Sequence, residues 1–168
     1  MSITLRRRLA TLLLWLPLFA AAGERPLIPD ERYPDLSGVE HSLREWRGRV
    51  LLLNFWASWC APCQAEIRHL VRFQKRYAKQ GLQVIGLGLD ESHKLRNVTR
   101  SLEINYPVLV AAEKQSRKIL QAWGDKSGLI PYNVIFDRSG RMVSIQRGIL
   151  DEERFDTFVK PLLEKVAD

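Results

Sequence analysis

The sequence predicts an α/β domain in which helices pack against a sheet. Short apolar runs of strand character alternate with segments of helical periodicity, in the order β-α-β, then α-β-α, then a β-hairpin and a closing helix. The length of 168 residues suits one domain with a short appendage. Hydrophobic residues make up 46% and charged residues 27%, which excludes a disordered chain. Ten glycines and eight prolines without a repeat exclude collagen-like and solenoid folds.

The first 22 residues predict a signal peptide. Three arginines, Arg6 to Arg8, precede an almost purely apolar run, and Ala20-Ala21-Ala22 supplies the small residues that signal peptidase favours. Residues 9–22 would form a helix of roughly 21 Å, against about 30 Å for the hydrocarbon core of a bilayer. We therefore expect a cleaved signal, with a short N-terminal membrane anchor as the alternative. Both place the domain outside the cytoplasm, in the periplasm or its equivalent.

The charge of the exported part does not indicate a nucleic-acid partner. The whole chain carries +7, but residues 1–22 hold three arginines and no acid. The remainder therefore has 23 basic and 19 acidic residues, a net charge of +4. An exported domain with mixed charges at this level lacks the basic excess of nucleic-acid-binding domains.

The N-terminal part of the exported chain predicts little regular structure before its first strong strand. Residues 23–32 are punctuated by prolines and predict an irregular lead, so the domain proper is expected over 33–168. Residues 39–43 form a weak strand signal. Residues 50–56 (VLLLNFW) form a continuous run of apolar β-formers, which predicts a central strand covered on both faces.

A long amphipathic helix is predicted over residues 63–80, and Gly81 ends it. Its polar face is basic along its whole length. We expect this face to be solvated, with a partner or an anionic-lipid surface as the alternative. The residues of the basic face are Arg68, Arg72, Lys75, Arg76 and Lys79.

The second half of the chain predicts shorter elements. They are strand 82–89, helix 94–102, strand 106–110, helix 116–123, strand 133–136 and strand 142–146. Residues 137–140 (DRSG) are typical of a hairpin turn between the last two strands. A final helix begins at the acids 151–153 and should be kinked or divided at Pro161, whose nitrogen cannot donate to the preceding turn.

Cys60-Ala61-Pro62-Cys63 is the most informative segment, because it stands where a buried strand meets a helix. The helix N-terminus stabilises a thiolate at Cys60, and Cys63, one turn further in, would be less exposed and able to attack a mixed disulfide. A purely structural disulfide is an alternative, worth only about 2 kcal/mol for so short a loop. A metal site is another, but His41, His69 and His93 are not spaced as ligand pairs, so no metal is expected.

The sequence around the cysteines resembles the TlpA/ResA-like exported thioredoxins of the thioredoxin superfamily. Residues 51–66 (LLLNFWASWCAPCQAE) are similar to the strand, active-site and helix signature of that family. Residues 128–148 (GLIPYNVIFDRSGRMVSIQRG) are similar to its second signature, and 90–113 to the insertion of this branch. The resemblance runs from about residue 33 to 165. It implies a thioredoxin-like fold, a central mixed β-sheet flanked by helices with an extra helix-strand insertion after the second core strand.

The resemblance also implies roles for individual residues. Cys60 would be the attacking thiol and Cys63 the resolving one, while Pro131 matches the cis-proline that packs against the disulfide. The backbone of Ile130 would pair with an extended substrate segment. The expected substrate-binding surface consists of Trp59, Ala61, Pro62 and Ile130.

A carboxylate is expected to relay protons to the second cysteine. Asn54 stands where cytoplasmic thioredoxins carry a buried aspartate for this purpose. In the exported branch an acid from a neighbouring strand end can take that part; Glu91 aligns best and Asp90 is second. An ordinary acid at a helix start is the alternative interpretation of both.

The expected function is that of an extracytoplasmic thiol:disulfide oxidoreductase with a redox-active disulfide and no dissociable cofactor. Its partners would be disulfide-bearing proteins and a membrane electron donor. A reductant is favoured because Ala61-Pro62 brings no cation to the thiolate and Ile130 precedes the proline as in reducing thioredoxins. The alternatives are a thioredoxin-fold peroxidase, although the peroxidatic Thr-x-x-Cys pattern is missing, and a Cu(I)-binding or delivery module.

Overall fold

The computed structural model describes residues 26–164, so the predicted signal peptide lies outside the described residues. The strands are β1 (Arg32–Pro34), β2 (Glu40–Ser42), β3 (Val50–Trp56), β4 (Leu82–Gly88), β5 (Val108–Val110), β6 (Tyr132–Phe136) and β7 (Met142–Arg147). The helices are α1 (Ala61–Tyr77), α2 (Ser92–Ser101), α3 (Ser116–Ala122), α4 (Glu152–Phe158) and α5 (Lys160–Glu164). Between residues 26 and 164, no helix has the length and apolar character needed to cross a membrane.

Five strands form one mixed sheet in the order β5-β4-β3-β6-β7. The central strand β3 runs parallel to β4 and antiparallel to β6, and all seven of its residues are buried, as a strand covered on both faces requires. The predicted insertion, α2 followed by β5, adds an edge strand beside β4. The predicted α/β fold with a mixed sheet flanked by helices is therefore confirmed.

Alternate residues of β3 point to two separate halves of the core. Leu51, Leu53 and Phe55 pack on the face that α3 covers, where Trp123 meets the Phe55 ring. Val50 and Leu52 pack on the opposite face, together with apolar residues of α1, α4 and α5. The period of two along the strand thus divides a continuous apolar run between two layers.

The N-terminal part of the described chain is more ordered than the sequence predicts. The Pro26 carbonyl accepts a hydrogen bond from the Met142 amide (2.8 Å), and the Ile28 amide donates to the Gly140 carbonyl (2.9 Å). Ile28 is buried in the core. The expected irregular lead therefore docks on β7, and the weak strand over 39–43 is the shorter β2, paired with β1.

The ends of the helices follow local sequence rules. Cys60 caps α1, and Pro62 lies in its first turn, where a missing N–H costs nothing. A 3-10 turn follows α1 and ends at Gly81, whose φ of 95° is the left-handed conformation that glycine adopts most easily. The closing helix is divided at Val159 into α4 and α5, which confirms the break expected from Pro161.

Phe155 joins α4 to α1, which leads to a prediction about stability. Its ring lies 4.0 Å from the ring centroid of Phe73 and 5.0 Å from that of Tyr77. We expect Phe155→Ala to lower the free energy of unfolding by about 3–5 kcal/mol, because it leaves a cavity in a closely packed layer. Phe158→Ala on the same helix is the control, since Phe158 is 39% exposed and should change stability by less than about 1 kcal/mol. Urea unfolding followed by circular dichroism measures both, and equal losses would contradict the assigned role of Phe155.

Candidate active site

The two cysteines form a disulfide at the N-terminus of α1, directly after β3. Cys60 is the N-cap residue, and its sulfur accepts a hydrogen bond from the Cys63 amide (3.2 Å). The sulfur atoms are bonded at 2.07 Å. Cys63 is fully buried and Cys60 nearly so. Of the two sulfurs, that of Cys60 is therefore the more accessible to a second molecule, and the helix N-terminus favours negative charge on it.

The loop that contains Pro131 lies against this disulfide. The Ile130–Pro131 peptide bond is cis, and the Ile130 carbonyl oxygen is 3.8 Å from the Cys60 sulfur. The structure thus brings the two sequence signatures together. The loop leads directly into β6, which is bonded to β3, so two neighbouring strands hold the two halves of the site in a fixed relation.

Apolar surface surrounds the disulfide. Trp59 is 68% exposed and Leu129 is 71% exposed, the two largest exposed fractions recorded for bulky apolar side chains in residues 26–164. A groove of about 380 Å³ runs past Pro62 and Leu129, and a second groove of about 520 Å³ lies between Trp59 and α3. Ile130 lines both grooves. The expected binding residues Trp59, Pro62 and Ile130 therefore share one surface, and Ala61 is exposed beside them.

Asp90 holds the loop that precedes Cys60. Its buried carboxylate accepts hydrogen bonds from the Ser58 hydroxyl and from the Glu91 amide (2.7 Å). Burial acts to raise the pKa of Asp90, but these hydrogen bonds and the nearby Lys94 ammonium outweigh it and hold that pKa below its usual value. Gln64 Nε2 donates to the Ser58 carbonyl (2.7 Å) on the other side of the loop. An ionised Asp90 therefore fixes the loop.

Glu91 lies apart from the disulfide. Its carboxylate contacts the Lys94 ammonium at 2.7 Å and His93 at 3.4 Å, and Lys94 lowers its pKa. In the part of the chain that the structure describes, it has no hydrogen bond to either cysteine. The geometry fits the alternative interpretation, an acid at the start of α2, and the relay role of Glu91 stays a prediction without structural support.

A different carboxylate, that of Glu66, is buried beneath the site. It lies one turn of α1 beyond Cys63 and is fully inaccessible. Asn54 Nδ2 donates to Glu66 Oε2 (2.6 Å), and Asn133 Nδ2 and the Leu150 amide both donate to Oε1 (2.8 and 2.7 Å). Asn54 and Asn133 are paired across β3 and β6, and Asn54 also donates to the Asn133 amide oxygen (2.9 Å). All these donors converge on one carboxyl group.

Burial raises the pKa of Glu66 to about 7. The hydrogen bonds from Leu150, Asn133 and Asn54 oppose this rise, because they favour the charged form. A group with this pKa can accept and release a proton near neutral pH. From the sequence, Asn54 stands at the relay position of cytoplasmic thioredoxins, and Glu66 is not among the predicted relay residues. The sequence feature that could have indicated Glu66 is its spacing. It lies three residues after Cys63 and next to Ile67, which is buried.

Comparison with known proteins identifies the family. Residues 26–145 match the sequence model of the AhpC/TSA family. The chain belongs to this family. It is 32% identical over 128 residues to "Thiol-disulfide oxidoreductase ResA" of Geobacillus thermodenitrificans, covering 74% of this chain and 70% of the relative. The Bacillus subtilis protein of the same name is 27% identical over 126 residues, or 74% and 68% of the two chains.

The structural comparison agrees with this membership. A thiol:disulfide interchange protein of the thioredoxin family from Chlorobium tepidum superposes with a TM-score of 0.72 at 27% identity, covering 85% of this chain and 99% of that one. The expected relationship to ResA-like thioredoxins and the thioredoxin-like fold are confirmed. This member of the AhpC/TSA family is a thiol-disulfide oxidoreductase, with Cys60 and Cys63 as its cysteine pair.

Proposed function

We propose that this oxidoreductase reduces disulfide bonds of protein substrates outside the cytoplasm. The proposal depends on one observation. The Cys60–Cys63 disulfide lies at the N-terminus of a helix, next to the Ile130 carbonyl, and apolar surface surrounds it. This arrangement offers an accessible sulfur, a buried sulfur behind it and a backbone segment that can pair with an extended chain. The disulfide in the structure corresponds to the oxidised enzyme at the end of a turnover.

The first step forms a mixed disulfide. In the reduced enzyme, the Cys60 thiolate attacks one sulfur of a substrate disulfide. The S–S bond of the substrate breaks, a Cys60–substrate disulfide forms, and the second substrate sulfur leaves as a thiolate that takes up a proton. The N-terminus of α1 stabilises the Cys60 thiolate, and the Ile130 backbone holds the substrate segment beside it.

The second step releases the substrate. The Cys63 thiol loses its proton, and the resulting thiolate attacks the Cys60 sulfur, which restores the Cys60–Cys63 disulfide. The substrate sulfur that Cys60 had attacked leaves as a thiolate and takes up a proton. Two electrons pass from the enzyme to the substrate. We assign the proton acceptor to Glu66, because it is buried one helical turn from Cys63 and its pKa of about 7 suits proton transfer near neutrality.

Several features support reduction as the direction of exchange and a location outside the cytoplasm. Ala61 and Pro62 between the cysteines carry no charge, so no cation from this segment makes the dithiol form unusually stable. Re-reduction then requires two electrons per turnover, which a membrane electron donor would supply. The basic head and apolar run of residues 1–22 support export, by a cleaved signal or with a retained anchor.

The apolar surface around the disulfide gives a prediction about substrate binding. We expect Trp59→Ala and Leu129→Ala each to lower kcat/KM for a protein disulfide by roughly tenfold, because each removes apolar contact area from the substrate interface. A small disulfide such as oxidised glutathione covers much less of this surface and should lose much less in rate. Val39→Ala is the control, since Val39 is 56% exposed on the β1–β2 hairpin. Equal losses on both substrates would contradict the assigned surface.

The direct test is catalysed reduction of a protein disulfide. Reduced enzyme is mixed with oxidised insulin or a disulfide-bonded exported protein, and thiols are counted over time by alkylation and mass spectrometry. The proposal requires catalytic amounts to suffice when an electron donor such as dithiothreitol is present. The same preparation is assayed for hydrogen peroxide consumption and for retained Cu(I). Peroxide turnover faster than disulfide exchange would favour the peroxidase alternative, and stoichiometric copper the metal-delivery alternative.

A further inference from the structure

The end of the domain opposite the disulfide is strongly basic. Three segments meet there: the turn 47–49 before β3, residues 75–81 at the end of α1, and the hairpin turn 137–141. The Gly48 amide donates to the Arg138 carbonyl (3.1 Å), and Arg138 Nη2 donates to the Gln80 carbonyl (2.7 Å). The basic residues of these segments, here named the basic pole, are Arg47, Arg49, Lys75, Arg76, Lys79, Arg138 and Arg141.

Within the described residues, no close ion pair neutralises the charges of the basic pole. No carboxylate of residues 26–164 lies within 4.0 Å of any basic-pole nitrogen. Some basic residues elsewhere in this range, such as Arg44 and Lys160, have such partners, and others, such as Arg117 and Lys118, do not. Asp137 is the only acid in the three segments, and its carboxylate is bound to the Ser139 hydroxyl and the Arg141 amide. All members except the half-buried Arg138 are exposed. The pole therefore presents a concentrated positive field to its surroundings.

The N-terminal chain joins the domain at this same end. Leu27 pairs with Arg141, and the Pro26 carbonyl accepts from the Met142 amide. Only residues 23–25 separate Pro26 from the apolar run that ends at Ala22, and so short a connection spans at most about 15 Å. If the apolar run lies in a bilayer, the basic pole must lie close to the headgroups of that bilayer.

We propose that the basic pole binds the anionic headgroups of a phospholipid bilayer in which residues 9–22 are inserted. Lysine and arginine side chains near an anionic membrane surface are attracted to it electrostatically. The seven-residue strand β3 separates the pole from the disulfide by about 20 Å, so the disulfide faces away from the membrane and toward soluble proteins. The proposal rests on the extracytoplasmic placement of the proposed function with a retained anchor. It does not depend on the redox chemistry, so an experiment can disprove lipid contact while disulfide exchange is retained, and the reverse.

The test compares the full chain in two kinds of nanodisc, one of phosphatidylcholine alone and one with phosphatidylglycerol added. The N-terminal segment is present in both, so a difference between the discs isolates the headgroup charge. Amide hydrogen exchange is followed by mass spectrometry. We expect exchange at 47–49, 79–81 and 137–141 to slow by at least about tenfold only in the anionic discs. Raising the salt from 0.1 M to 1 M shortens the screening length from about 10 Å to about 3 Å and should remove the protection.

Matched charge-reversal variants complete the test. The variant Arg49→Glu, Lys79→Glu, Arg141→Glu should lose the protection in anionic discs. The variant Arg117→Glu, Lys118→Glu, Lys126→Glu makes the same change of charge at exposed residues on and after α3 and should keep it. Disulfide exchange by both variants serves as the folding check.

Three outcomes would overturn the proposal. The first is equal exchange in the two discs. The second is protection around residues 57–60 and 128–131 instead of the pole, which would invert the orientation. The third is equal protection of the pole by polyglutamate in uncharged discs, which would assign the surface to an acidic protein.

Discussion

Cys63→Ser is expected to trap the substrate on the enzyme. The variant keeps Cys60 at the helix N-terminus, so the first attack on a substrate disulfide still occurs. The serine hydroxyl cannot displace the substrate sulfur, and the mixed disulfide therefore accumulates. Catalysed reduction should fall to the uncatalysed rate, while one substrate molecule becomes covalently bound per enzyme. Non-reducing electrophoresis and intact-mass spectrometry of the variant, mixed in its reduced form with a protein disulfide, measure both effects.

Cys60→Ser provides the matched control for the trapping experiment. This variant removes the accessible sulfur and leaves the fully buried one, so we expect neither turnover nor a stable adduct. A trapped adduct in Cys60→Ser but not in Cys63→Ser would reverse the assigned order of the two cysteines. Activity of both single variants at the wild-type rate would show that the disulfide has only a structural role.

Glu66→Gln is expected to abolish a marked dependence of stability on pH. Burial raises the pKa of Glu66 to about 7 in the folded protein, above its ordinary value of 4.5. The folded state therefore binds the proton more tightly than the unfolded state. The folded wild type should lose about 3 kcal/mol of stability as the pH rises from about 4.5 to about 7, with no further loss from this group above that range. The glutamine variant has no such proton and should lack this slope.

The measurement is urea unfolding of the oxidised wild type and the Glu66→Gln variant at several pH values from 4.5 to 8. The difference between the two proteins removes the contributions of other titrating groups, including His41. Glu91→Gln is the control, because Glu91 is exposed and its lowered pKa lies outside this range. It should leave the slope unchanged. Parallel stability profiles of wild type and Glu66→Gln would contradict the elevated pKa of the buried carboxyl group.

The same variant tests the proton-transfer role of Glu66 separately from its effect on stability. Release of the mixed disulfide requires deprotonation of Cys63, so Glu66→Gln should slow this step most strongly near neutral pH. The step can be followed by rapid alkylation after mixing. The initial attack by Cys60 should be affected less. If Glu91→Gln slowed the release step and Glu66→Gln did not, the result would contradict the role of Glu66 and support Glu91 as the proton relay, as predicted from the sequence.

Local sequence patterns predict the central elements of this fold well. Strands β3 and β4 are predicted from continuous apolar runs, and the hairpin is predicted from the turn residues 137–140. These patterns depend only on residues adjacent in sequence, and the structure contains both strands and the hairpin. The break at Pro161 follows from one missing N–H donor. Cys60 and Cys63 are found from spacing and context, because the strand, the pair and the helix are contiguous in sequence.

The buried carboxyl group could not be predicted in the same way. Glu66 is buried because Asn133 and Leu150, 67 and 84 residues away in sequence, donate hydrogen bonds to it. Such pairing depends on the register of β6 against β3, which the sequence does not reveal. The sequence instead favours Glu91, because its position just after a strand is visible from the neighbouring residues alone. The sequence predicts β2 only as a weak strand over 39–43 and does not predict β1 or its pairing with β2, because three-residue strands are too short to show a period.

The reduction potential of the Cys60–Cys63 pair tests the central claim most directly. The purified protein is equilibrated in dithiothreitol or glutathione buffers of defined potential, and the oxidised fraction is determined by thiol alkylation. A reductant of protein disulfides should show a value near about −270 mV, as in thioredoxin. A value near about −120 mV would make the protein an oxidant and contradict the proposed direction. A pair that does not cycle reversibly between dithiol and disulfide would contradict the redox function itself.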